Sequence, residues 1–212
     1  IGPDIIERYY NSVSLAKEAS EKGMKAIVVK DQLFPSVHKA ILTHYLVPEI
    51  QIFGGVALNH TTGGLNPRTV AATLKSGGKI VWLPTVDAEY CHKKASQGHW
   101  IGNVIERSTL GFPQRGFSLL DSSGKCVSSV QDILKTASDY NAVVATGHIS
   151  PEECLAVVDV NANIGAKILV THPNVWFDDF TLDVLKRLTE GNAAIEFVMG
   201  ALTPLRGRGD PM

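Results

Sequence analysis

The chain has 212 residues, 20 Lys and Arg against 21 Asp and Glu, 44% hydrophobic residues and only 19% charged ones. That length buries a sizeable core and suits a single domain over 1–212, while sparse, balanced charge offers no electrostatic face to nucleic acid or a membrane. Three cysteines without metal-knuckle spacing, no long apolar run and no basic-then-apolar opening point to a reduced, cytoplasmic protein. The expected partners are a small-molecule substrate and, where open sheet edges need covering, a second copy of the chain as a homo-oligomer.

In chain order, Ile1-Gly2-Pro3-Asp4 reads as a loop, since Gly-Pro punctuates regular structure. A helix follows, capped by Asn11 or Ser12, running to about Lys22 and stopped by Gly23. Met24 to Lys30 is a strand that ends in a lysine, where βα-loop chemistry is expected. Pro35-Ser36 leads into a helix carrying His38 in its first turn, within reach of a site, and His44, read as structural or exposed. Ile50 to Leu58 is the next strand; its Gly54-Gly55 pair permits close backbone approach or a bulge, and Asn59 stands at its end. Gly63-Gly64 has the spacing of neither a dinucleotide fingerprint nor a P-loop. Asn66 and Pro67 start a helix that Gly77-Gly78 ends, and Lys79 to Thr85 is a strand with Asp87 just beyond it.

From Ala88 to about Val127 no helical or strand period is visible, and Tyr90, His92, His99, Trp100, Arg107, Phe112 and Arg115 are scattered through the stretch. Connections this long are lids, binding loops or disordered segments, and the aromatics argue against disorder. The stretch reads as a substrate-facing excursion in which Arg107 and Arg115 bind a substrate carboxylate or phosphate; an oligomer contact is the structural alternative. Leu119 to Lys125 reads as a hairpin turn.

Ser128 or Ser129 caps a helix through Ala137, followed by the strand that runs from Ala142 into Thr146-Gly147-His148. Ser150, Pro151 and Glu153 form a capping box for a helix to about Asn163. Lys167 to Thr171 is another strand, and it too ends in a histidine, His172. A helix from Asp178 to Leu188 leads to a last strand, Ala193 to Met199, whose single ionisable residue is Glu196. A carboxylate in an apolar run needs a partner or a task, so Glu196 either faces the site or pairs with Lys30.

Six buried, non-alternating runs separated by helices describe a parallel sheet covered by helices. They fit an open doubly wound sheet or most of an eight-stranded (β/α) barrel, and the lack of a glycine-rich first turn disfavours the dinucleotide version. Barrel closure asks for one further strand before Ile1 and one after Met212. Right-handed crossovers set the carboxyl ends of neighbouring strands side by side, so His148 and His172 should meet there. One strand-end histidine is more often a hydrogen-bonded polar residue; two at equivalent positions suggest metal ligation.

The order of several specific pieces carries a likeness over nearly the whole chain. They are Gly2-Pro3-Asp4 with Arg8, the run from Gly23 to Lys30, Gly54-Gly55 with Leu58-Asn59, Gly63-Gly64-Leu65-Asn66-Pro67, Trp82 to Asp87, Thr146 to Glu153, and Thr171-His172-Pro173. In these it resembles a little-characterised family of metal-dependent hydrolase-like proteins related to the amidohydrolase superfamily. The resemblance implies a TIM-barrel-like fold, six of its eight strands visible, with a divalent metal, zinc by preference, at the carboxyl face. It makes His148 and His172 the fifth- and sixth-strand ligands, and sets a His-x-His pair on a strand ahead of Ile1 and an aspartate on one beyond Met212. The fourth strand of that pattern ends here at Thr85, without the lysine that bridges two metals in many members.

The expected activity is hydrolysis of an amide, lactone or ester bond by metal-activated water, with Lys30, Asp87 and Glu196 as catalytic candidates and His38, Asn59, Arg107 and Arg115 as substrate contacts. Two alternatives stand beside it: a metal-independent lyase, aldolase or isomerase using Lys30, and a non-catalytic, degenerate barrel serving binding or assembly.

Overall fold

The computed structural model describes residues 2, 4, 8–99, 101–112, 114–175 and 179–198. Six strands, β1 (Ala26–Val29), β2 (Gln51–Ala57), β3 (Ile80–Trp82), β4 (Val143–Ala145), β5 (Lys167–Val170) and β6 (Ala194–Ile195), form one sheet in the order of the chain. Every neighbouring pair is parallel. Sequential order decides between the two architectures, because a doubly wound sheet reverses its order at a switch point and this one does not. The result is an α/β fold with a parallel sheet curled into a half-barrel.

Crossovers of a single hand put the helices on one side, the convex face. These are α1 (Ser12–Glu21), α2 (Val37–Leu46), α3 (Pro67–Lys75), α6 (Ser128–Asp139), α7 (Pro151–Asn161) and α8 (Leu182–Glu190), with α4 (Glu89–Ser96) and α5 (Gly102–Ser108) inside the long β3–α6 connection. The main core lies beneath them: Val56, Val81, Val144, Ile168 and Val170 from the strands meet Val70, Leu74, Ile133, Leu134, Val157 and Leu188 from the helices. The alternate residues Ala57, Ile80, Trp82 and Ala145 form a smaller apolar layer on the opposite, concave face.

Local signals explain most element starts. Asn11 accepts from Ser14 N, Asn66 accepts from Arg68 N ahead of Pro67, and Ser150 and Glu153 form the expected reciprocal capping box. Gly54-Gly55 is a site of close approach: a Cβ on Gly55 would stand 1.9 Å from Ile80 O, and one on Gly54 would stand 2.7 Å from Ser36 O. Leu120 and Cys126 pair across the expected turn in an antiparallel bridge.

Two expectations need correction. The excursion at 88–127 shows no period yet is not without regular structure, since it holds α4 and α5; helices of eight and seven residues complete barely two turns, too few for a 3.6-residue pattern to emerge. The helix expected from Asp178 starts later, at Leu182, with Thr181 as its cap. Ile1, Pro3, Trp100, Asp178 and Met199 lie outside the described residues. Among the described residues no helix is long and apolar enough to cross a membrane.

Candidate functional site

His148 and His172 meet at the carboxyl ends of β4 and β5. Thr146 and Thr171 lock those ends together: Thr171 N donates to Thr146 Oγ1 and Gly147 N donates to Thr171 Oγ1, both at 3.0 Å. The β3 end anchors the next residue, as His148 N donates to Pro84 O at 3.0 Å. This crossing leaves no room for a side chain at Gly147, which has φ +65° and whose notional Cβ would lie 2.3 Å from Leu83 O. Gly147→Ala should therefore cost about 2 kcal/mol, from left-handed strain plus overpacking. Urea unfolding measures it, and a cost within about 0.5 kcal/mol, the usual range of surface changes, would contradict the geometry.

The two imidazoles face each other through their Nε2 atoms, 3.3 Å apart. This is longer than the roughly 2.9–3.0 Å common for N–H donors. It matches the separation of about 3.3–3.4 Å that tetrahedral zinc imposes on nitrogen donors bound at about 2.0–2.1 Å. Burial holds both rings neutral: His148 lies well below the ordinary histidine range, with the nearby charges of His172 and Lys30 adding to the effect, and His172 is pushed down to about 4 by burial and Lys30. Neutral rings are what ligation requires. His172 also holds a left-handed backbone at φ +30°, uncommon outside glycine and concentrated at functional sites. Its Nδ1 is buried and, among the described residues, has no hydrogen-bond partner beyond a contact with its own backbone.

Lys30 follows β1 on the concave face, its Nζ 5.4 Å from the Trp82 ring centroid. Burial pushes its ammonium down to about 8, against the opposing pull of Glu196, Cys91 and Asp4. Glu196 follows β6, where its N–H donates to Val170 O at 3.0 Å, and burial raises its carboxyl while Lys30 restrains the rise. Lys30 is the common neighbour at the sheet's carboxyl edge, its charge acting on Glu196, His148 and His172 alike.

Asp87 is buried, and its Oδ2 accepts from His60 N at 2.7 Å. Its charge also reaches Cys91. Asn59 is buried too and is occupied internally: its Nδ2 donates to Gln32 O and Thr85 Oγ1, and its Oδ1 accepts from Thr85 N. It cross-ties the loops after β1, β2 and β3, so its effect on a substrate runs through the loops it holds. His38 on α2 and Arg107 on α5 are exposed. Arg115 is exposed as well and lines, with Tyr90, His92, Lys93, Glu152 and Asp179, an open cavity of about 1200 Å³ to which neither His148 nor His172 contributes. Of the substrate contacts expected from sequence, then, only Asn59 is packed among the strand ends.

Two residues of the site escape sequence reasoning. Gln32 has no recognisable signature, yet its side-chain carbonyl accepts from Thr85 Oγ1 at 2.7 Å. Cys91, on the buried side of α4, sits with Sγ 3.4 Å from His148 Nδ1. The excursion reaches the strand ends because it closes on its own start: Phe117 N donates to Asp87 O and Glu89 N to Phe117 O.

Among the described residues no group of three or more His, Cys, Asp or Glu is arranged to hold a metal ion. The histidine pair, with its converging nitrogens and neutral rings, fits two positions of a donor set.

The fold and these strand ends define a (β/α) half-barrel protein with its polar residues gathered at the carboxyl face. The chain belongs to DUF6282, a family of unknown function, whose model matches residues 1–196. No curated protein matches it.

Proposed function

We propose that the protein is a metal-dependent hydrolase acting on a small substrate with an amide, lactone or ester bond. The observation that carries this reading is the 3.3 Å approach of His148 Nε2 to His172 Nε2 at adjacent strand ends, in rings kept neutral by burial. His148 and His172 would hold the ion; the remaining donors are those the amidohydrolase resemblance sets on a strand ahead of β1. The chemistry a divalent ion brings to such donors, zinc by their character, is acidification of water and polarisation of a carbonyl. Lys30 offers a desolvated positive charge to an anionic group on the substrate. Glu196, its carboxyl raised toward neutrality, is suited to taking and returning a proton, and Asp87 holds the His60 turn with one oxygen.

The test is hydrolysis of a panel of small esters, lactones and amides by the full-length protein. Activity should vanish on chelation and return with zinc; hydrolysis indifferent to chelator would contradict the reading.

A second reading has its own support: a lysine pushed down to about 8 is partly deprotonated near neutral pH and suits Schiff-base chemistry without metal. Borohydride trapping of a carbonyl substrate on Lys30 would favour it.

A further inference from the structure

Cys91 is fully buried on α4 and points its sulfur at the ring nitrogen of His148 that faces away from His172. The Nδ1 and Nε2 positions of an imidazole direct their bonds away from each other, so a sulfur lying against Nδ1 cannot share an ion with Nε2. Cys91 is therefore not a ligand of anything the two Nε2 atoms bind. What it controls is the position of the ring proton, because a neutral imidazole carries its proton on one nitrogen and an exposed lone pair on the other.

We infer that Cys91 is a positioning residue: its sulfur accepts the Nδ1 proton of His148, fixing the tautomer that turns the Nε2 lone pair toward His172 Nε2. A second observation points the same way. If His148 carried its proton on Nε2 and donated it to His172, then His172 would have to hold its own proton on Nδ1, a buried atom that, among the described residues, has no hydrogen-bond partner beyond a contact with its own backbone. A buried N–H held only by its own backbone recovers little of the desolvation of the donor, so this tautomer is the less favourable one. The alternative leaves His172 donating from Nε2 to His148 Nε2, and His148 donating from Nδ1 to Cys91. The same His148 tautomer is the one ready to ligate, with the outer ring nitrogen satisfied by a protein partner, as is general for metal-binding histidines. In its use the inference rests on the metal reading proposed above; the tautomer itself does not.

The experiment is long-range 1H–15N correlation on histidine-labelled, full-length, metal-free protein at neutral pH. His148 should show a protonated Nδ1 and a bare Nε2. Cys91→Val, which keeps the volume and removes the acceptor, should move the proton to Nε2, and Cys91→Ser should restore it to Nδ1. Zinc titration gives the second readout: Cys91→Val should weaken binding about 10- to 100-fold, the usual effect of losing an outer partner, and Cys91→Ser should recover most of it. A natural protein with its His148 proton on Nε2, or a Cys91→Val protein that keeps it on Nδ1, would overturn the inference. Should Cys91→Val fail to fold, the tautomer of the natural protein still decides. A natural protein with the Nδ1 proton that takes up no zinc would leave the positioning role in place and remove the metal reading.

Discussion

His148→Ala and His172→Ala are each expected to weaken zinc binding at least about a hundredfold, more than losing an outer partner costs. The reason is geometric: each ring supplies one of two nitrogens held 3.3 Å apart by hydrogen bonds from backbone N–H groups to the Thr146 and Thr171 hydroxyls, which do not depend on the ring. Thr146, Thr171 and the His148 N–H to Pro84 O bond keep the strand ends in place after either substitution. Loss of affinity should thus come without loss of fold, and His172→Ala still spends a non-glycine residue on a left-handed backbone. Zinc titration with a competing chelator measures the effect, and circular dichroism checks the fold. Unchanged affinity in His148→Ala would remove the pair from the metal site.

Lys30→Met should make the protein more stable at neutral pH, by about 2–3 kcal/mol, while lowering hydrolytic activity. The ammonium is desolvated in the folded protein, with a pKa of about 8 against an ordinary 10.5. That distance corresponds to about 3 kcal/mol, less where water reaches the partly exposed side chain. Below about pH 8 lysine is charged in folded and unfolded chains alike, so the folded state bears the whole penalty. Between about 8 and 10.5 the folded protein releases the proton first, so stability rises with pH. Above 10.5 both states are neutral and the advantage of methionine disappears. Urea unfolding of both proteins at pH 7 and near pH 10.5 tests this; a destabilised Lys30→Met at pH 7 would show that Lys30 earns its place by contacts rather than by function. Such a stability gain with loss of activity is the usual mark of a residue kept for chemistry.

The six strands are legible in the sequence because each falls in a mainly aliphatic stretch without polar alternation, even where, as in β1, β5 and β6, the strand is only partly buried. Their sequential order is not, since it depends on which way each crossover turns, and it is that order that makes a half-barrel of them. His148 and His172 can be found because they occupy the same place after successive strands. Lys30 and Glu196 can be found because each is the ionisable residue at the end of an apolar run. Cys91 cannot: its partner is 57 positions away, and a helix of eight residues carries it there without a readable period. Asn59 shows the opposite failure. A polar residue at a strand end invites a substrate, but the loops after β1 and β3 consume its amide, a fact fixed by tertiary packing with Gln32 and Thr85. Arg107 and Arg115 are exposed, Arg115 at the rim of a cavity away from the histidine pair, and composition reveals that a long loop is basic but not which way its side chains turn.

The His148 and His172 nitrogens are expected to converge on a metal ion rather than only on each other. Crystals of the full-length protein grown with zinc, measured on both sides of the zinc absorption edge, test this most directly. An anomalous peak is expected about 2.0–2.1 Å from both Nε2 atoms. An unbroken N–H···N contact between the rings, with no peak, would contradict it.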